Sequence, residues 1–248
     1  MTSDLICGLL LLVFYLGTLW LCDIDWDQYR KANSGEETKG NQVNNREFNN
    51  FKESPIDFLE KLNLREYQKD AIMSVVNQEN TVNSWARRSG KDVAIAASAI
   101  HSAIFNPYST IVIYVSQTHQ ITYMKQTIIA TLANLDHPGL EVSTANHAVN
   151  VNNSIIIIIK AIGCKTVWSK ADIVFFNECD NEEKIQERID LEKHEDTTFH
   201  VFGTYSIILD EQYPAKYTKI SWKDFLNISD AKKMKNNLGK DSFSREFD

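Results

Sequence analysis

Residues 85–92 read WARRSGKD and join a strand-like run at 82–86 to a segment at 93–105 that has the composition and length of a helix. A tight turn between a strand and a helix brings backbone N–H groups and the positive end of the helix to one point, which makes an anion site. We therefore predict a phosphate-binding loop in which Gly90 and Lys91 are the fixed parts, with Lys91 reaching the terminal phosphates.

A Gly-Lys pair before a helix is common by chance, so the loop needs support from a second element. That element is the apolar run IVFF at 173–176, which ends in Asn177 and Glu178. In ATPases with a phosphate-binding loop, such a strand end supplies a carboxylate for Mg²⁺ and a glutamate that polarises the attacking water. Glu178 is the predicted catalytic carboxylate.

The two positions that ordinarily bind magnesium are both altered. Asp92 stands where a serine or threonine hydroxyl is usual, and Asn177 stands where an aspartate is usual. One carboxylate is gained and one is lost, so the formal charge available to a cation is unchanged. We predict Asp92 as a charged metal ligand and the Asn177 carbonyl as a neutral one. The opposing interpretation is that the site has decayed.

The rest of the chain alternates strand-like and helix-like segments, which is typical of a parallel α/β sheet. The predicted strands are 82–86, 110–116, 154–159, 172–177 and 199–204. The predicted helices are 93–105, 118–135 and 182–193, preceded by two amphipathic helices over IDFLEKL and LREYQKDAIMSVV. The predicted fold class is α/β: a P-loop NTPase of the RecA/ASCE-like kind, with a mainly parallel sheet flanked by helices and a hydrophobic helix at the N-terminus.

Residues 5–22 form an uncharged stretch of eighteen residues, near the lower limit for a helix that crosses a bilayer. We predict a membrane anchor at 1–22, with a buried helix or a mis-assigned start codon as the alternatives, and a flexible linker at 23–52. The positive charges that follow the apolar stretch favour a cytoplasmic body. The predicted ATPase domain is 53–225, and 226–248 is a linker-like tail.

Composition restricts the partners. A net charge of -7 lacks the basic footprint of a surface that grips nucleic acid unaided, so any DNA contact is local or supplied by a partner. The four cysteines show no CxxC spacing, which argues against a zinc site or a disulfide framework.

The order of elements resembles the ATPase domain of the large terminase subunit of tailed viruses, the motor that drives DNA into a procapsid. The resemblance spans roughly 55–248 and rests on PIDFLEKLNLREYQKDAI, WARRSGKD, YVSQTHQ, VNVNNSIIIII, ADIVFFNE and VFGTYS. ISWKDFL and SFSREFD look like the family's linker between motor and nuclease. The resemblance therefore implies the motor half alone, without nuclease activity.

The resemblance also implies roles for individual residues. Gln68 would hydrogen-bond to adenine through its amide, although a Tyr67-Gln68 pair that lies on a helix surface and has no functional role fits the sequence equally well. The implied sites are Ser89, Gly90, Lys91 and Asp92 for nucleotide, Glu178, Lys91, Arg87 and Arg88 for catalysis, and Gly203 and Thr204 for coupling hydrolysis to movement.

The implied cofactors are ATP and Mg²⁺, in a viral or prophage protein inside a host cell. The implied partners are double-stranded DNA, a portal, capsid or small terminase subunit, a separate nuclease, further copies in a ring, and a membrane through residues 5–22. Two alternatives stay open: a degenerate P-loop domain that serves as a binding or assembly module, and a helicase-like translocase, which would need a second RecA-like domain.

Overall fold

The structure, a computed structural model, describes residues 55–135, 140–161, 171–179, 181–192, 196–204 and 214–224, together with 233, 235 and 236. All of them belong to the second of two compact units, Arg46–Asp248. The predicted anchor at 5–22 and the linker at 23–52 lie outside the described residues, as does nearly all of the tail at 226–248. Within the described ranges, no helix is long and apolar enough to cross a bilayer.

Helices and strands alternate along the chain from α2 to β2 and again around β6 and β7. The helices are α1 (Pro55–Lys61), α2 (Glu66–Val76), α3 (Lys91–Phe105), α4 (Thr118–Leu135) and α5 (Glu182–Glu192), with a 3-10 turn at Trp222–Asp224. The strands are β1 (Thr81–Trp85), β2 (Thr110–Val115), β3 (Val142–Thr144), β4 (Ala148–Val151), β5 (Ser154–Lys160), β6 (Ile173–Asn177), β7 (Thr198–Gly203) and β8 (Lys216–Ile220).

These strands form one sheet in the order β3-β4-β5-β2-β6-β7-β1-β8. The run from β5 to β8 in this order is parallel, whereas the β3–β4 and β4–β5 pairs are antiparallel. The predicted mainly parallel α/β fold is thereby confirmed. Strand β7 separates β1, which leads into the predicted phosphate loop, from β6, which ends at Asn177. Because the three strands are parallel, their carboxyl ends share one edge of the sheet.

Both faces of the sheet are covered, since consecutive strand residues enter opposite cores. On β2, Ile113 and Val115 join the core beneath α1 to α4, whereas Val112 and Tyr114 join the core beneath α5. Helix α3 is buried along nearly its whole length, and its alanines let it lie close to the sheet. The predicted phosphate loop is therefore held between β1, an interior strand of the sheet, and a helix that is buried along nearly its whole length.

Two of the described histidines are buried in the core. His101 on α3 is 3% exposed, stacks on Phe105 and meets the edge of Phe58, and neither ring nitrogen has a hydrogen-bond partner in the described part of the chain. Desolvation by burial lowers the pKa of His101 to about 4 and that of His200 to about 3. Both rings are therefore neutral in the folded protein near neutral pH.

This burial makes the fold sensitive to acid. Below about pH 6.5 the unfolded chain binds a proton at each histidine and the folded chain does not, so the free energy of unfolding falls as the pH drops towards about 4. For His101 the expected loss is about 3 kcal/mol. His101→Leu is expected to flatten this slope in urea unfolding measured across the range. His147→Gln, at an exposed histidine, is the matched control and should leave the slope intact; equal slopes for both variants would contradict the account.

Candidate nucleotide site

The loop between β1 and α3 has a backbone conformation that requires glycine at its last position. Gly90 caps α3 with φ +86°, in the left-handed region. A Cβ atom there would lie 2.5 Å from the side-chain nitrogen of Gln68. Arg88 is also left-handed, with φ +64°, which costs a non-glycine residue roughly 1–2 kcal/mol. The loop is thus held in a strained, specific shape, as functional loops often are.

Helix α2 holds the loop from outside. The Tyr67 hydroxyl donates to the Ser89 carbonyl at 2.7 Å, and Gln68 Nε2 donates to the Gly90 carbonyl at 3.0 Å. Gln68 Oε1 accepts from the Arg65 backbone N–H at 2.9 Å, and Gln68 is 6% exposed. Both ends of the amide that was predicted to read adenine are thus engaged within the protein. Its predicted role would require exchange of these bonds.

Lys91 lies where β1, β6 and β7 end. Its Nζ donates to the Trp85 carbonyl at 2.9 Å and to Thr204 Oγ1 at 3.4 Å, and it lies 3.5 Å from Glu178 Oε1. The side chain is only 5% exposed, and desolvation lowers the pKa of Lys91 against the opposing attraction of Glu178. Most of its bonds are to neutral oxygens, which an incoming anion can replace with stronger, charge-assisted ones.

Asp92 and Asn177 meet directly. Asn177 Nδ2 donates to Asp92 Oδ1 at 2.6 Å, across 85 residues of sequence. Desolvation raises the pKa of Asp92, the hydrogen bond from Asn177 opposes this shift, and the charge of Glu178 adds to it. Asn177 is 2% exposed, and its Oδ1 has no partner among the residues described. A buried carbonyl oxygen without a partner is costly and suggests a ligand.

Glu178 follows β6 in a left-handed conformation, with φ +52°, and its backbone N–H donates to the Phe202 carbonyl of β7 at 2.8 Å. Its side chain is about one-third exposed. Glu178 Oε2 accepts from Gln120 Nε2 at 3.3 Å. The carboxylate therefore lies between Lys91 and Gln120, with access to solvent.

Gln120 was missed in the sequence analysis. Its Oε1 accepts from Ser116 Oγ at 2.9 Å and from the Gln117 backbone N–H at 2.8 Å, so the amide is fixed on both sides. A glutamine at the third position of a helix that reaches back to the residue before it is a capping-box feature. That spacing in SQTHQ, just after a buried strand, was the available signal.

The remaining predicted residues lie around this centre. Gly203 ends β7 and pairs with Ser84 of β1, which places Thr204 beside Lys91. Ser89 is 2% exposed, and its Oγ has no hydrogen-bond partner within the described ranges. Arg87 and Arg88 are exposed on the loop, so their phosphate-sensing role stays a prediction.

Together these side chains place one buried cation, two carboxylates and two oxygens without a hydrogen-bond partner among the described residues at the edge where the parallel strands end. In the described part of the chain, no group of three or more histidine, cysteine or acidic side chains could hold a metal by itself. A cation here would need oxygen ligands from elsewhere. This fits Mg²⁺, which proteins commonly bind through one or two carboxylates together with substrate phosphates.

Comparison with known proteins places this arrangement in a known fold, although no protein-family model and no curated protein matches the sequence. The large-terminase ATPase domain of Thermus phage P74-26 matches with a TM-score of 0.54 at 14% identity, over 77% of this chain and 96% of that one. The large terminase of a thermophilic bacteriophage matches at 0.51 and 11% identity, over 68% of this chain and 49% of that one. The HK97 bacteriophage large terminase matches at 0.49 and 17% identity, over 60% and 37%. The chain thus spans about half or less of the latter two proteins, and it has the fold of the ATPase domain of phage large terminases.

Proposed function

We propose that the chain is a Mg²⁺-dependent ATPase that acts as the motor domain of a terminase-like DNA-packaging enzyme. The observation that carries the proposal is the convergence of Lys91, Glu178 and Thr204 beside a glycine-capped loop at the ends of β1, β6 and β7. This is the edge at which parallel α/β sheets bind their ligands.

Nucleotide binding follows from the loop. Helix α3 begins at Lys91, so its N-terminal turn and the Lys91 ammonium group lie at the same end of the loop, which suits the charged end of ATP. Structures of the large terminase from the thermophilic bacteriophage contain ADP and ATP-γ-S, which supports a nucleotide at the equivalent place here. Lys91 would exchange its carbonyl contacts for phosphate oxygens, while Ser89, Gly90 and Asp92 line the loop.

The oxygen donors at the site fit Mg²⁺. Asp92 offers a carboxylate and Asn177 a buried carbonyl oxygen without a partner among the described residues, and hard cations favour such ligands. These two residues would hold the ion, and bound Mg²⁺ would neutralise charge that develops on the phosphates. Hydrolysis itself would depend mainly on positioning and electrostatics.

Glu178 is suited to orient the attacking water because its carboxylate is partly exposed and held from both sides. Lys91 contacts one carboxylate oxygen and Gln120 donates to the other. Thr204 follows β7 and accepts a hydrogen bond from Lys91. It would couple hydrolysis of the nucleotide to movement of the motor. Arg87 and Arg88 would sense phosphate from the loop.

The proposed partners are those of a packaging motor: double-stranded DNA, a portal, capsid or small terminase subunit, a separate nuclease, and further copies of the chain in a ring. A net charge of -7 makes a broad DNA-binding surface on this chain unfavourable, so the DNA contact is local or shared. The proposed location is a cytoplasmic body in an infected or lysogenic host cell, with residues 5–22 as the proposed membrane anchor.

The test is ATP turnover by the full chain with and without Mg²⁺ and double-stranded DNA. We expect Mg²⁺-dependent turnover, and we expect Lys91→Ala to weaken nucleotide binding about 10–100-fold through loss of charge-assisted hydrogen bonds. Lys69→Ala, which removes a surface lysine paired with Glu66, is the control and should behave as wild type. Turnover that is indistinguishable between wild type and Lys91→Ala would favour the degenerate module instead.

A further inference from the structure

In the hydrogen bond between Asp92 and Asn177, the donor and the acceptor are exchanged relative to the usual arrangement at these two positions. Where a hydroxyl follows the lysine and an aspartate ends the strand, the helix side chain donates and the strand side chain accepts. Here the Asn177 amide on β6 donates at 2.6 Å and the Asp92 carboxylate on α3 accepts. The negative charge has therefore moved from the strand end to the first turn of the helix, directly after Lys91.

That position matters because the first turn of α3 is the part of the loop that attracts anions. A carboxylate in the first turn of a helix interacts favourably with the partial positive charge there. Asp92 consequently places a negative charge in the turn where a phosphate group would bind. The Asn177 amide fixes the Asp92 carboxylate in this position, since Asn177 is buried and its nitrogen has committed one bond to it.

The charges of the buried and half-buried groups also disfavour a polyphosphate that binds without a metal ion. Among the buried and half-buried groups at the centre, Lys91 contributes one positive charge, and Asp92 and Glu178 contribute two negative charges. A polyphosphate that arrived alone would meet these two carboxylates against the one buried ammonium group of Lys91, while Arg87 and Arg88 lie exposed on the loop. The Asn177 Oδ1, which has no partner in the part of the chain that the structure describes, is an independent sign that a further electropositive group belongs beside this pair.

We infer that the site accepts nucleotide only as its complex with a divalent cation, that Asp92 enforces this requirement, and that Asn177 holds the Asp92 carboxylate in place. The inference rests on the proposed nucleotide site and adds a property of binding rather than of hydrolysis. A hydroxyl at position 92 would impose no such barrier, because it carries no charge that repels phosphate.

The experiment is calorimetric titration of the full chain with a non-hydrolysable ATP analogue in excess Mg²⁺ and in excess EDTA. For wild type, removal of the metal is expected to weaken binding on the order of 100-fold, as a unit charge about 5 Å from a phosphate would at a surface-like dielectric constant. Asp92→Asn keeps the shape and the acceptor for Asn177 but removes the charge. In this variant metal-free binding should tighten, and the dependence on Mg²⁺ should shrink to below about 10-fold.

Thermal unfolding of Asp92→Asn checks that the variant is folded. The matched control is Asp70→Asn, at an acidic residue of α2 away from the site, which should keep the wild-type ratio of nucleotide affinities in Mg²⁺ and EDTA. Equal wild-type affinity in Mg²⁺ and EDTA would overturn the inference while leaving the nucleotide site standing. The inference would also be overturned if folded Asp92→Asn had the same ratio of nucleotide affinities in Mg²⁺ and EDTA as wild type. Absence of any Lys91-dependent binding in both buffers would overturn the proposed function and this inference together.

Discussion

Glu178→Gln is expected to lower kcat for ATP hydrolysis about 1000-fold, because it replaces the carboxylate that we propose orients and polarises water with a neutral amide of the same shape. The glutamine can still accept from Gln120, and Lys91 keeps its bond to the Trp85 carbonyl, so the fold and the loop should persist. Nucleotide affinity should therefore change little while turnover collapses. Steady-state turnover and calorimetric titration of the same preparation separate the two effects.

Glu187→Gln, at an exposed position on α5, is the matched control and should retain wild-type turnover. A fall in kcat of less than about 10-fold in Glu178→Gln would mean that another group activates the water, since positioned acid–base groups contribute more than this. Equal loss of affinity and turnover would point to a binding role for Glu178 instead.

Asn177→Asp is expected to lower the free energy of unfolding by about 3 kcal/mol at neutral pH. The substitution replaces a buried donor with a second carboxylate against Asp92, and neighbouring buried carboxylates cannot both ionise without large cost. The pair then retains a proton in the folded state that the unfolded chain releases, so the loss is greatest at neutral pH and shrinks as the pH falls. Urea unfolding at neutral and acidic pH measures the loss in the free energy of unfolding and shows whether this loss shrinks as the pH falls.

The second half of this prediction is rescue. Adding Asp92→Ser to Asn177→Asp restores a donor on α3 and an acceptor on β6, so the double variant should recover most of the stability and bind nucleotide with weaker dependence on Mg²⁺. A double-mutant cycle gives the coupling energy. Strictly additive effects would show that the two residues do not act as a pair. A fully stable Asn177→Asp would show that carboxylates at positions 92 and 177 do not repel each other.

The central sheet was predictable because its strands are apolar on both faces. Strand β6, IVFFN, is buried at every residue, and the helix predicted at 118–135 has the same bounds as α4. The strands β3, β4 and β8 were missed. Strand β8, KYTKI, lies at the edge with most side chains exposed, and β3 has three residues, all exposed, so neither shows the hydrophobic pattern that identifies a strand.

The site was predictable where chemistry and position coincide. Lys91, Asp92, Asn177, Glu178 and Thr204 were singled out at strand or helix ends, and parallel strands bring such ends together. The capping role of Gln120 had a signal in the sequence, but its contact with Glu178 did not, because that contact spans 58 residues and depends on where α4 begins. The engagement of Gln68 with the loop was likewise hidden, since a polar residue on an amphipathic helix gives no sign of what its amide meets.

The place of β1 between β7 and β8 has a consequence for synthesis on the ribosome. Residues 81–85 pair with residues 200–203 on one side and 216–220 on the other, so β1 has neither neighbour until residue 200 has been made. At about 5–20 residues per second, Val82 and Trp85 emerge on the order of 10 seconds before those partners exist. The edge of the sheet that carries Lys91 is thus completed only after residue 220 has been made, and a nascent chain shorter than this lacks the proposed nucleotide site.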